Sequence, residues 1–165
     1  MTDALALLHL FRKMKRLIMK TSSLSLALLA LMSGQALATD VINHKSPYCG
    51  CCGEWGKHMQ AQGFTVKEVL HDDMNSIKQK LGITPELASC HTAEINGYVF
   101  EGHIPADDIK AFLANPPKNA IGLAVPGMPM GSPGMEYGDQ KDAYVVYALN
   151  DKGQVFQYRQ HPGNQ

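Results

Sequence analysis

Val41-Ile42-Asn43-His44, then Ser46-Pro47-Tyr48, then Cys49-Gly50-Cys51-Cys52, then Gly53 to Gln62, is the stretch that decides the fold. It reads as a short apolar strand, a turn, three thiols within four residues, and a helix closed by Gly63 at its C′ position. One more cysteine, Cys90, stands directly before His91 and completes the chain's four. Neighbouring Cys51 and Cys52 cannot both bridge freely. The run therefore points to soft-metal binding, thiol redox chemistry, or both. Two structural disulfides in an oxidising compartment are the competing reading.

Downstream, Phe64 to Leu70 alternates enough for a second strand. Asp72 or Asp73 can cap a helix running to Leu81, with Gly82 closing it. Glu86 to Ala93 is ambiguous. Asn96-Gly97 between Glu94-Ile95 and Tyr98-Val99-Phe100 is a hairpin signal. Pro105 opens a helix from Ala106 to Ala114, which Asn115-Pro116-Pro117 stops. Gly122 to Met135 reads as a loop rich in Met, Gly and Pro. Tyr144–Leu149 and Gln154–Tyr158, joined through Asn150 to Gly153, read as an additional C-terminal β-hairpin. The order strand, helix, strand, helix, hairpin, helix is that of a single α/β domain of the thioredoxin-like class. In that architecture the cysteine run lies at a helix N-terminus, where exposed N–H groups and the helix dipole favour thiolates. The proline that such domains usually carry beside the third strand is missing; Pro85 comes too early.

Upstream, Arg12, Lys13, Lys15, Arg16 and Lys20 precede an apolar run from Leu24 to Met32 and the small-residue site Ala36-Leu37-Ala38. This is the pattern of a secretory signal peptide over residues 1–38, and it leaves residues 39–165 as the working domain. The apolar run is shorter than the roughly 20 residues a membrane span needs. No cysteine sits at the cleavage point after Ala38, which argues against a lipoprotein. Met14-Lys15-Arg16 resembles a start, so residues 1–13 look superfluous. The whole chain is formally neutral. Without the basic leader it is mildly acidic and has no basic stripe, which excludes nucleic acid as the expected partner. The expectation is a periplasmic protein with no membrane attachment after cleavage.

Candidate site residues follow from donor chemistry. Cys49 and Cys52 have the C-x-x-C spacing of dithiol oxidoreductases and are the catalytic pair if the protein is redox-active. Cys51 and Cys90 are the departures from that pattern. Four sulfurs around one point suit Cu(I) first and zinc second. Imidazole suits the same metals, and His91 and His103 are placed to contribute. His58 follows Cys51 by seven residues, on the same helix face but about 10 Å along it. Met128, Met130 and Met135 sit at non-helical spacing in the loop, and thioether is a soft donor; packing over the site is the other role open to them. Tyr48 and Trp55 flank the motif and are expected to shield it from water. His44, His71 and His161 are given no role, and Asp72-Asp73 is simply a helix cap.

Four motifs in order carry a family resemblance. They are Cys49-Gly50-Cys51-Cys52 with Trp55 and His58; Ser89-Cys90-His91-Thr92; Gly97 to Ile109; and Gly122 to Pro129 continued by Gly131 to Glu136. Together they resemble the CopG-type periplasmic copper-resistance proteins over nearly all of the exported part. The resemblance implies a thioredoxin-like fold, with copper held by Cys49, Cys51, Cys52 and Cys90, and His91 and His103 as the nitrogen donors. It also implies a redox role in copper handling. Copper ions, a copper exporter or another periplasmic copper protein are the expected partners. A thiol–disulfide oxidoreductase acting on proteins is the alternative, and a disulfide-stapled module without metal is the third.

Overall fold

The computed structural model describes residues 38–164 and the pair Lys13–Met14. Apart from Lys13, Met14 and Ala38, the expected signal peptide lies outside the described residues. Strand β1 (Thr39–Lys45) leads into helix α1 (Gly50–Ala61), and β2 (Phe64–Leu70) returns parallel to β1, with Thr39 opposite Phe64. Helix α2 (Met74–Lys80) starts at Asp73, whose carboxylate accepts from the N–H groups of Asn75 and Ser76. A 3-10 turn (Pro85–Leu87) precedes β3 (His91–Ile95), which runs antiparallel to β1. Strand β4 (Tyr98–Glu101) pairs antiparallel with β3. Asn96 and Gly97 between them both have positive φ, 51° and 80°, as a type I′ turn requires.

Helix α3 (Ala106–Ala114) follows, with Pro105 as its N-cap. Then come β5 (Ala120–Ala124), parallel to β4, and the antiparallel strands β6 (Tyr144–Asn150) and β7 (Val155–His161). The result is one seven-stranded mixed sheet in the order β2-β1-β3-β4-β5-β6-β7.

Strands β1 and β7 run two to three residues beyond the sequence reading, and two further boundaries differ for reasons that bear on the site. Helix α1 begins at Gly50, not Gly53, because Cys49 itself takes the extended N-cap conformation and its N–H closes a turn on the Ser46 carbonyl. The cysteines therefore lie within the first helical turn instead of in a loop before it. Gly122 to Ala124, read as loop, belong to β5. A Cβ on Gly122 would stand 1.7 Å from the Val99 carbonyl oxygen. This glycine marks a close approach of two strand backbones, and not a turn.

The main core gathers Val41, Trp55, Met59, Ile95, Phe100 and Phe112, all essentially inaccessible to water. Trp55 donates its indole N–H to the Ile104 carbonyl at 2.9 Å, which fixes α1 against the segment leading into α3. Along β1, Val41, Asn43 and Lys45 are buried, and Asn43 Nδ2 donates to the Cys52 carbonyl of α1. His44 alternates to the opposite face, the one on which α2 packs.

Candidate metal centre

Four sulfurs meet at the N-terminus of α1. Cys49 stands at the N-cap position, and Cys51 and Cys52 occupy the first turn. Cys90 arrives from the residue before β3. The four Sγ atoms lie within 4.8 Å of one another. Cys49 and Cys52 are joined as a disulfide, with Cα atoms 5.4 Å apart, while Cys51 and Cys90 are free thiols. Cys51 Sγ is 3.5 Å from Cys49 Sγ and 3.7 Å from Cys90 Sγ. Cys52 is fully buried and Cys49 half-buried, so the outer sulfur of the bridge is the accessible one.

A second donor group shares Cys90. One ring nitrogen each from His91 and His103 falls within 4.8 Å of its sulfur and of each other. His103 Nδ1 stands 2.8 Å from the Pro133 carbonyl oxygen, which can only accept, so the proton belongs on Nδ1. That leaves the Nε2 lone pair facing Cys90 Sγ at 2.8 Å. A carbonyl behind an imidazole is the usual device for orienting a metal-binding histidine. His91 is fully buried, with its ring 4.5 Å from that of Trp55 and edge-on to that of His103 at 5.0 Å. Its Nε2 is buried without a hydrogen-bond partner. Its Nδ1 is the nitrogen that faces Cys90 Sγ, at 3.6 Å, and a buried imidazole with an unsatisfied nitrogen beside clustered soft donors fits a metal ligand.

Burial favours the neutral forms of Cys90, His91 and His103 before loading. Burial pushes the Cys90 thiol up to about 12, and the adjacent Cys51 adds to the rise. Burial holds His91 well below the usual imidazole range, helped by His103 and by the ammonium groups of Lys78 and Lys45. Burial also lowers His103, against the opposing pull of the Pro133 carbonyl. A metal entering here must displace the Cys90 proton, and it meets two neutral imidazoles.

The Cys90 loop is held from behind. Glu101, fully buried, accepts from Ser89 N–H at 2.6 Å, from the Thr92 hydroxyl at 2.6 Å and from Lys78 Nζ at 2.5 Å. Lys78 also donates to Thr92 Oγ1 at 3.1 Å. The carboxylate thus binds both flanks of Cys90–His91. Sequence reasoning missed this set, because Lys78 reads as an ordinary surface cation of a short helix. The available signal was Glu101 itself, a carboxylate between the apolar Phe100 and Gly102-His103 at the end of a core strand.

The loop from Gly127 to Glu136 closes over the site. Gly127 N–H donates to the Ala88 carbonyl, and the Gly127 carbonyl accepts from the Ser89 hydroxyl. Gly134 has φ of 83°, and a Cβ there would lie 2.7 Å from both the Cys51 carbonyl oxygen and the Trp55 nitrogen. Gly134→Ala should therefore lift the loop from α1 and drag Pro133 off His103. The expected result is roughly a tenfold loss of metal affinity, the low end for loss of an orienting partner. Metal titration of the variant, with far-UV circular dichroism unchanged, is the check.

The other expected residues are placed as follows. His58 Nε2 accepts from Ala106 N–H at 3.3 Å and joins neither donor group; it serves the start of α3. Met130 is half-buried, and its N–H donates to Asp142, whereas Met128 is 55 % exposed. Trp55 shields the site as expected. Tyr48 does not: it is 93 % exposed, because it sits on the turn before α1 with no neighbour among the described residues to cover it.

A family model described as a protein of unknown function, DUF411, matches residues 87–135, the segment from the 3-10 turn through Cys90 and His103 to the methionine loop. No curated protein matches the chain. Two solved structures do, titled copper resistance protein copG, form 2 and form 1. Each is 42% identical with a TM-score of 0.73 and is covered over 100% of its length, while 76% and 77% of this chain is covered. With that identity over the whole of both relatives, the chain belongs to the CopG-type copper-resistance protein family.

Proposed function

We propose that this chain is a periplasmic copper-binding protein, exported by the leader at residues 1–38, whose domain at 39–165 is thioredoxin-like. The order β2-β1-β3-β4, with one parallel and two antiparallel pairings around an α1 that starts at the cysteines, supports that fold reading. Copper is its cargo. Cys49, Cys51, Cys52 and Cys90 supply the sulfurs once the Cys49–Cys52 bridge is reduced, and His91 and His103 supply nitrogen. The observation that carries the reading is Cys90, the one donor common to a four-sulfur group and a sulfur–imidazole group. Two overlapping sets favour several ions with bridging thiolates over one closed tetrahedral site. Soft donors favour Cu(I), with zinc as the runner-up. Met128 and Met130 act as a lid or as outer thioether donors.

Sequestration, delivery to an exporter and interconversion of oxidation state are all open to such a site. For interconversion the electrons balance: closing the bridge from two thiols releases two electrons and two protons, enough to convert two Cu(II) to two Cu(I).

The bridge also favours a second reading, thiol–disulfide exchange on proteins. In it, a substrate thiolate attacks the outer sulfur, Cys49, and Cys52 leaves. An anaerobic Cu(I) titration of the reduced protein, with free thiols counted before and after, separates the two. More than one copper per chain, with every thiol protected from alkylation, is the expected result. Little retained copper, with the bridge turning over against a reduced protein substrate, would establish the exchange reading instead.

A further inference from the structure

His44, His71 and Glu94 form a linked group on the sheet face away from the cysteines. His44 Nδ1 is 2.8 Å from His71 Nε2, and His44 Nε2 is 2.9 Å from Glu94 Oε1. His44 lies on β1 directly opposite Thr92 of β3, and Glu94 is two residues further along β3, so their side chains share one face. His71 follows the last residue of β2, and its N–H donates to the Lys45 carbonyl, which brings its ring beside that of His44 at a centroid distance of 5.0 Å. The His44 side chain is 13% exposed and that of Glu94 is 39% exposed. The group is reachable from solvent but backed by the sheet.

We propose that His44 and His71 form a second cation site, distinct from the cysteine centre, that takes Cu(II) as a pair of cis imidazoles with Glu94 behind one of them. The donor geometry carries the proposal. A metal–imidazole bond is about 2.0–2.1 Å, so two nitrogens bound at a right angle stand roughly 2.9 Å apart. The observed 2.8 Å, a hydrogen bond between the rings in the ion-free protein, already matches that spacing, so a cation requires the two rings to turn toward a common point without moving apart. Glu94 can only accept, so His44 Nε2 carries the proton and Nδ1 presents its lone pair to His71. This carboxylate–imidazole order fixes the tautomer of a metal ligand and raises its basicity. In the ion-free protein His71 Nε2–H fills the gap as a donor to His44 Nδ1. When a cation enters, that proton moves through solvent to His71 Nδ1, and both facing nitrogens become ligands. Water completes the coordination.

The choice of ion follows from ligand type. Two imidazoles with water and no sulfur suit a borderline divalent cation in tetragonal geometry, and Cu(II) leads the divalent series for such donors. The cysteine centre, buried and sulfur-rich, suits the reduced ion. Both groups lie at the same end of the sheet, since His44 is five residues before Cys49 and Thr92 is two residues after Cys90.

The test is a Cu(II) titration followed by electron paramagnetic resonance on the Cys51→Ser/Cys90→Ser variant. Its remaining cysteines are bridged, so no thiol reduces the added ion. The same titration on the unaltered chain, with both free thiols alkylated, guards against a folding defect in the variant. One Cu(II) per chain with hyperfine coupling to two nitrogens is expected. His71→Gln should abolish that signal, and Glu94→Gln should weaken binding about 10- to 100-fold. An unchanged signal in His71→Gln, a signal lost in His103→Gln but kept in His71→Gln, or no retained Cu(II) would each overturn the site.

Discussion

Cys90→Ser should cost the reduced protein most of its copper. Cys90 is the only donor that belongs to both groups, and its sulfur lies 3.7 Å from Cys51 Sγ and 2.8 Å from His103 Nε2. Four-ligand thiolate and imidazole sites bind a soft divalent ion with roughly 10–16 kcal/mol, so one ligand carries about 3 kcal/mol, or about a hundredfold in affinity. Here the loss should exceed that of a single ligand, because a hydroxyl cannot bridge the sulfur group to the imidazoles. Stoichiometry should fall as well as affinity. The fold should persist, since Cys90 is only partly buried and Ser is smaller. Competition against a Cu(I) chelator measures both quantities. Parental stoichiometry in the variant would remove Cys90 from the site and leave Cys49, Cys51 and Cys52 to bind alone. Exchange on proteins through Cys49 and Cys52 predicts the opposite pattern, with turnover retained.

The sequence made the βαβ start and the hairpin legible because each is signalled locally. Asp73 caps α2, Asn96-Gly97 turns β3 into β4, and Gly63 ends α1, all through chemistry confined to a few residues. The cysteine motif was equally local, and Cys90-His91 could be assigned to it because the thioredoxin-like order predicts which loop faces the helix N-terminus. What stayed hidden depends on tertiary contact. Strand β5 was unreadable because Gly122 behaves as a strand residue only where Val99 leaves no room for a Cβ. Tyr48 and Trp55 look alike as flanking aromatics, yet one projects into solvent and the other is enclosed, a difference set by helix phase and neighbours. His44 and His71 are 27 residues apart and carry no local signal of a shared role, and only the parallel register of β1 and β2 brings them together. Lys78 and Glu101 are 23 residues apart and meet because α2 folds over β3 and β4.

That last pair gives the second large effect. Glu101→Gln should destabilise the fold by about 3–5 kcal/mol, because it strands the Lys78 ammonium in the interior without a counter-charge. Lys78 is 6% exposed and Glu101 is wholly buried, so neither charge can escape to water. Lys78→Met should cost a similar amount for the converse reason. Replacing both, as Lys78→Met/Glu101→Leu, removes the two charges together, and such exchanges are often neutral or stabilising. Stability should therefore recover to within the roughly 1–3 kcal/mol apiece that Ser89 N–H and the buried Thr92 hydroxyl cost when they lose their partners. Copper binding should not recover. Glu101 anchors Ser89 on one side of Cys90–His91 and Thr92 on the other, and no other group in contact with Ser89 N–H replaces it. Urea unfolding of the three variants, set beside their Cu(I) affinities, separates the two roles. A double variant that is stable and binds copper as tightly as the parent would mean that Glu101 only neutralises Lys78. A stable double variant with weakened copper binding would mean that the buried carboxylate sets the position of Cys90, and that the lysine is there as its counter-charge.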